Sequence, residues 1–495
     1  MPDLNNHAGL VSFVSFVSFP ILGLLGAAAC GPAGSPAGET DATSTGTEDA
    51  TTDSPTNPSD PTRPTTTEPT TTEPPIPECE LDSQCYISAY CNQCYQGSCR
   101  MNPVCSEEPY DYDYDDCDTY RDCPENYTCS RGECVEVPPF VLPICPPPAM
   151  DVSQWNLSNA PSAFVLADLD GDLDLDLAAA EPASGSIEIA LNDGAGNFLL
   201  AGAYALAPEA TGDLALAAGD LDKDGDLDLV VTRREVQGTL NLLFNDGAVF
   251  TVAVAPQFLA TLPEQVFVAD LNGDGALDVM TINDSAASVT VQMGDGTGKL
   301  ASKQAGIMPT ITGPAVLTDL SIDGVADLLA PIADNEAALW IGGPKPLLTP
   351  LQTFPVPAAD VAALAADLDL DNLPDLVFVQ ADRAAGLAEV WSGTASKAWA
   401  FEPSRYPTSL PLTGGLLAEL DPKPGPDLVA ATGLARLTVL LGTGSGGFAC
   451  EHIADIAGTS APGLLAVGDV DGDGLPDIVA GGLGGPTIEI LHLAF

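Results

Sequence analysis

The chain has 495 residues, more than one ordinary domain requires, and its 70 acidic residues against 15 basic ones leave a formal charge of −55. A surface this negative repels nucleic acid and excludes it as a partner. Composition shifts in blocks along the chain, which divide it at 1–30, 31–78, 79–137 and 138–495.

Residues 1–30 read as an export segment. The uncharged apolar run from Gly9 to Ala29 has the length of a signal h-region or of a spanning helix. It ends Ala27-Ala28-Ala29-Cys30-Gly31, which resembles a bacterial lipobox; the resemblance implies that Cys30 carries lipid and becomes the mature N-terminus. Two features depart from that pattern: Ala27 stands where Leu is preferred, and no Lys or Arg precedes Arg63. An uncleaved anchor and plain secretion stand beside lipidation. All three place the body outside the cytoplasm, at the cell surface or outer membrane, with the membrane reached through the anchor alone.

Residues 31–78 are Thr, Pro, Ser, Gly and acidic residues with almost no large apolar side chain. They cannot bury enough surface to offset their ordering entropy, so a disordered, extended stalk is expected. Residues 79–137 follow as a disulfide-rich module. Cys79, Cys85 and Cys91 repeat the spacing of Cys117, Cys123 and Cys129, which suggests a duplicated small unit. A short exported segment this dense in cysteine is held by disulfides. Cys91 and Cys94 could form a zinc or redox pair, but His7, His452 and His492 all lie elsewhere. With Cys30 lipidated, the ten cysteines of 79–134 can form five internal bridges, and the two left over, Cys145 and Cys450, are predicted to pair.

From 138 onward one ten-residue motif recurs, beginning at Asp168, Asp220, Asp270, Asp319, Asp367, Glu419 and Asp469, at intervals of 48 to 52 residues. Its fullest forms are Asp220 to Leu229 and Asp469 to Ile478. A fixed period near 50 residues means a stacked structural unit. Each period contains a hydrophobic strand into the motif (Ala163 to Ala167), a strand out of it (Leu227 to Val231) and a third strand (Ser186 to Leu191). A Gly-rich turn (Asn192 to Phe198) and a fourth apolar segment complete it. Four short strands per period describe a propeller blade, giving an all-β, seven-bladed β-propeller of four-stranded blades. The chain stops at the third strand of its last period, so residues from about 138 to 156 are expected to supply the fourth and latch the ring.

Motif positions 1, 3, 5 and 9 carry oxygen ligands around a glycine at position 6, where a tight turn needs positive φ. Ca²⁺ takes six to eight such oxygens. The sets Asp220/Asp222/Asp224/Asp228, Asp270/Asn272/Asp274/Asp278 and Asp469/Asp471/Asp473/Asp477 are complete. Asp367/Asp369/Asp371/Asp375 has Asn372 at position 6, and Asp168/Asp170/Asp172/Asp176 has Leu173, for which adjusted geometry is expected. The fourth set keeps Asp319, Asp323 and Asp327 but has Ser321 at position 3. Glu419/Asp421/Lys423/Asp427 sets a cation among prolines and should be metal-free. Five or six calcium ions follow. The bland alternative is that these aspartates only form turn hydrogen bonds.

The motif, the Asn-x-Gly-x-Gly-x-Phe turn and the period together resemble the FG-GAP or VCBS repeats of integrin α-subunit propellers and bacterial surface proteins. That resemblance implies a seven-bladed propeller with Ca²⁺ in the loops between first and second strands, and ligand on the opposite face. Loops such as Thr232 to Gly238, Gln380 to Arg383 and Trp399 to Pro411 would lie there, offering Arg233, Arg234, Arg383, Arg405, Phe401 and Tyr406.

No catalytic constellation is visible. Thr443 breaks a Gly-x-Ser-x-Gly spacing around Ser445, and aspartates recurring seven times behave as structural residues. The expectation is a non-enzymatic, monomeric surface module that binds a protein or glycan in adhesion. An envelope enzyme acting on polysaccharide and a purely structural scaffold are the alternatives.

Overall fold

In the computed structural model, residues 142–494 are described apart from short segments (146–148, 207–211, 254–256, 259–261, 284–287, 344–347, 357–360, 382–385, 396, 401–402, 457–461 and 483). Before residue 142 only the strands Gln93–Tyr95, Ser98–Arg100, Tyr127–Ser130 and Glu133–Glu136 are described. The expectations for Cys30, the stalk and the bridges within 79–134 therefore lie outside the described residues. Contacts divide the chain into two units: one takes in Glu136–Phe495, and the other holds Ile21–Pro124 and Thr128–Val135. In the second unit, Gln93–Tyr95 pairs antiparallel with Ser98–Arg100, with Cys94 opposite Cys99.

The described part of the first unit is all-β and forms seven antiparallel blade sheets, six of them with their strands in sequence order and the seventh completed by a strand from before the first blade. Blade one is typical: Ala163–Ala167, Asp176–Glu181, Ser186–Asn192 and Phe198–Ala205. The inner strands of the other blades are Leu214–Gly219, Pro263–Ala269, Val316–Thr318, Val361–Ala366, Leu412–Ala418 and Pro462–Gly468. Blade two splits its outer edge into Thr251–Val252 and Gln257–Phe258, both paired with Thr239–Phe244. Blade five inserts a hairpin, Gly393–Ala395 with Ala398–Trp399, before its outer strand Ser404–Thr408. Part of the expected loop from Trp399 to Pro411, Ser404–Thr408, is thus an edge strand that pairs with Gly386–Trp391.

Period-two alternation sends neighbouring side chains to opposite faces of a sheet, and here both faces are buried. In the second strand of blade two, Leu229 and Val231 pack toward blade one while Val230 packs toward blade three. Each such side chain contributes about 1.5–3 kcal/mol relative to leaving it in water. Seven apolar clusters form, one for each junction between adjacent blades. One of them joins Leu464, Ala466 and Val479 of blade seven to Phe164, Leu166 and Leu177 of blade one, so the ring is closed.

The latch is there. Ala149–Asn156 pairs antiparallel with Thr487–Ala494, from Thr487 opposite Asn156 to Ala494 opposite Ala149, and becomes the fourth strand of blade seven. Just before it, Cys145 is bonded to Cys450 in the outer strand of blade six, with a Cα–Cα distance of 5.3 Å. Backbone hydrogen bonds run both ways beside this bridge, Cys145 N–H to Glu451 O at 2.7 Å and Glu451 N–H to Pro143 O at 2.9 Å.

Candidate metal centres

Every motif loop joins the first strand of a blade to its second, so all seven lie at the same end of the ring. The last motif carboxylate opens the second strand. Asp176, Asp228, Asp278, Asp327, Asp375, Asp427 and Asp477 are all buried, opposite a residue no larger than Thr on the first strand. Each uses one oxygen to accept an N–H from the loop: Leu169 to Asp176 at 2.8 Å, Leu221 to Asp228 at 3.0 Å, Ser321 to Asp327 at 2.7 Å, Val470 to Asp477 at 3.0 Å. In blades one to six the other oxygen accepts an N–H from the end of the third strand, as in Asn192 to Asp176 and Gly294 to Asp278, both 2.8 Å. This residue ties loop, second strand and third strand together.

Burial pushes Asp176, Asp228, Asp278, Asp375 and Asp427 up to about 6 against the lowering effect of those amide bonds. Asp327 is raised by the same cause.

The first carboxylate cradles the turn. Asp168 accepts N–H groups from Gly171 at 2.8 Å and Leu173 at 3.1 Å; Asp469 does so from Gly472 at 2.8 Å and Gly474 at 3.0 Å. Turn hydrogen bonds of this sort are present in every loop, but the Asp168 and Asp469 oxygens each accept a single N–H of the turn and keep a further lone pair. At position 3, Asp170, Asp222 and Asp369 are raised by burial and then by the neighbouring carboxylate at position 5. Such crowding of like charge is relieved by a cation.

Four loops draw three carboxylates together, with one ligand atom from each within 4.8 Å of the others. They are Asp168/Asp170/Asp176, Asp220/Asp222/Asp228, Asp367/Asp369/Asp371 and Asp469/Asp471/Asp473. Asp172 and Asp224 sit at position 5 of the first two loops; Asp172 accepts Asp174 N–H and Asp224 accepts Asp226 N–H, each at 3.0 Å. In blade three the amide of Asn272 lies 3.3 Å from Asp278, while Asp270 accepts Gly273 and Gly275 N–H at 2.7 Å and Asp274 accepts Ala276 N–H at 2.9 Å. Its donor set is three carboxylates and an amide. Oxygen-only sets of this size fit Ca²⁺.

Leu173 takes the left-handed backbone outright, with φ of 79°, and leaves its side chain in solvent. The loop of blade one therefore keeps the common shape rather than an adjusted one. Position 4 is left-handed as well, a requirement the motif reading missed. Gly171, Gly273 and Gly472 meet it with φ of 83°, 75° and 73°, and Lys223, Ile322 and Leu370 with 62°, 56° and 61°. The recurrent glycine at that position was the available signal.

Blade four differs. Lys397, at the tip of the hairpin inserted in blade five, places Nζ 3.2 Å from Asp323. Burial would raise Asp323, but the Lys397 bond and charge, with Ser321, hold it below the ordinary carboxylate range. The loop carries its own cation. In blade six Lys423 pairs with Asp421 at 3.3 Å, and Pro422 and Pro424 occupy positions 4 and 6, where proline cannot take positive φ. The left-handed turn moves to Gly425, with φ of 107°.

The loops also bind blades to one another. The Gly-rich turn of the following blade donates to the loop's second carbonyl: Asn245 Nδ2 to Leu169 O at 2.8 Å, Gly298 N–H to Leu221 O at 3.1 Å, Gly446 N–H to Leu368 O at 3.1 Å, and across the closure Asn192 Nδ2 to Val470 O at 2.7 Å.

The residues considered for ligand contact on the other end are mostly spent on structure. Arg233 is fully buried, and Arg234 reaches Glu264 at 3.6 Å. Arg405 pairs with buried Glu389 at 2.8 Å, and the Tyr406 ring meets Phe448 edge-on at 5.2 Å. Phe401 and Arg383 lie outside the described residues.

The FG-GAP-like repeat family matches residues 168–231 and 270–330. No curated protein matches the sequence. Among solved structures, the crystal structure of BBS1N in complex with ARL6DN, soaked with lead, is 10% identical, with 68% of this chain and 93% of that chain covered and a TM-score of 0.47. The same complex soaked with mercury is 12% identical, with 68% and 92% covered and a TM-score of 0.47. The chain is a seven-bladed β-propeller carrying FG-GAP-like repeats.

Proposed function

We propose that this chain is a calcium-loaded binding module displayed outside the cytoplasm, where it holds a surface protein or glycan and serves adhesion. The observation that supports it is the set of loops in blades one, two, three, five and seven, where oxygen ligands crowd at one end of a closed ring and no lysine occupies a ligand position. Calcium there would be held by Asp168, Asp170, Asp172 and Asp176 in blade one, and by their counterparts in the other four. It supplies charge neutralisation to a chain of net charge −55 and stiffens the loops that join neighbouring blades. The opposite end is then free to present ligand-binding loops on a rigid frame.

The full chain, immobilised, should capture surface glycans or proteins from envelope extract in calcium and release them in chelator. Capture indifferent to chelator would favour a structural scaffold. Cleavage of polysaccharide during the same incubation would overturn the non-enzymatic reading.

A further inference from the structure

His492 stands apart from the rest of the chain's carboxylate chemistry. It lies on the closing strand Thr487–Ala494, and its Nδ1 sits 3.2 Å from Asp471 Oδ2 and 3.2 Å from Asp477 Oδ1. These three ligand atoms lie within 4.8 Å of one another, as a group distinct from Asp469/Asp471/Asp473 but sharing Asp471. The other ring nitrogen, Nε2, is 2.9 Å from Ser153 Oγ on the latch strand. Asp477 is almost fully buried, with 2% of its side chain exposed, against 19% for His492 and 27% for Asp471.

An Nε2–H donating to Ser153 leaves a lone pair on Nδ1, aimed between two carboxylate oxygens. At this distance the three atoms need a positive centre between them, supplied either by a proton on Nδ1 or by a bound ion in its place. A tetrahedral ion bound at about 2.0 Å has ligand atoms roughly 3.3 Å apart, close to both contacts here. An imidazole with two carboxylates suits a borderline divalent ion rather than a hard one, and a hydroxyl on the second ring nitrogen is the partner that orients such a ligand. We propose that His492, Asp471 and Asp477 form a site for a borderline divalent cation of the Zn²⁺ class, which shares Asp471 and Asp477 with the oxygen loop of blade seven and competes with calcium there.

Its position gives it a role. Ser153 belongs to the N-terminal latch strand, His492 and Asp477 to blade seven, and a Cβ on Gly196 of blade one would stand 3.3 Å from the His492 ring. An ion there would join the loop of blade seven to its third strand through a histidine that the latch strand orients, beside the first blade where the ring closes.

The full chain, stripped with chelator and kept free of calcium so that Asp471 and Asp477 are open, is titrated with Zn²⁺ while the ¹⁵N resonances of its three histidines are followed. One histidine, assigned by its loss in His492→Gln, should move its Nδ1 resonance to the metal-bound range at one equivalent. Asp471→Asn, a part-exposed change that leaves the buried Asp477 in place, should weaken Zn²⁺ binding at least tenfold while the calcium sites of blades one, two, three and five remain. An His492 resonance that shows both nitrogens protonated and ignores Zn²⁺ overturns the site. So does Asp471→Asn binding Zn²⁺ as tightly as the native chain. Failure of the oxygen loops to take calcium would leave the Zn²⁺ result readable, so the two readings fail separately.

Discussion

Ile322 and Leu370 hold left-handed backbone at position 4 of their loops, where three other loops use glycine. For a β-branched residue this conformation costs on the order of 1–2 kcal/mol, part of which glycine would give back as chain entropy. Ile322→Gly is therefore expected to raise stability by up to about 1 kcal/mol, read as an increase in unfolding midpoint in chelator. A lower midpoint would mean that the strain is absent. The buried carboxylates make a second residue-level prediction. Asp176, Asp228, Asp278, Asp375 and Asp427 sit at about 6 when folded and near the ordinary 3.8 when unfolded. The folded chain then binds more protons between those values, so in chelator its stability is greatest below about pH 4 and falls as pH rises through 6. Denaturant unfolding across that range checks the sign. Calcium, which binds the ionised form, should flatten or reverse the slope.

At the scale of the element, the blades were legible because the spacing, the apolar runs and the Gly-rich turn all repeat in register with one another. The latch was legible for a related reason: the last period lacks a fourth strand, and an apolar segment precedes the first motif. Lys397 was not. It lies 74 residues from Asp323 in sequence and reaches it only because blade five carries an inserted hairpin beside the loop of blade four. Nor could a chain of letters show that Arg405 and Tyr406 belong to an edge strand, since that strand is displaced by the same insertion. Removing the inserted cation tests its part: Lys397→Met should add a calcium site in blade four, counted by calorimetry, and an unchanged count would show that Ser321 already disables the loop. The bridge from Cys145 to Cys450 spans 305 residues, so Cys450→Ala should cost roughly 2–5 kcal/mol by freeing the unfolded chain, with the latch as the first segment to lose hydrogen-exchange protection.

Across the whole molecule, stability comes from seven apolar junctions of similar make, and the carboxylate loops sit where those junctions meet solvent at one end. The loops of blades one to six bind their own third strands, and those of blades one, two, five and seven accept a hydrogen bond from the next blade. Calcium held there acts on two blades at once, and by mass action it should raise the unfolding temperature of the entire ring rather than of one segment. The ring needs no metal to be specified by its sequence, as blade six shows: Lys423 and three prolines replace the ligand pattern, yet Asp427 keeps both of its amide bonds, to Leu420 at 2.7 Å and to Gly442 at 2.6 Å. The fold signal and the metal signal therefore share residues but can separate. Calorimetric titration of the chelator-stripped chain with calcium bears on this most directly. Five sites are expected, from blades one, two, three, five and seven; three or fewer would contradict the assignment and leave these aspartates as builders of turns alone.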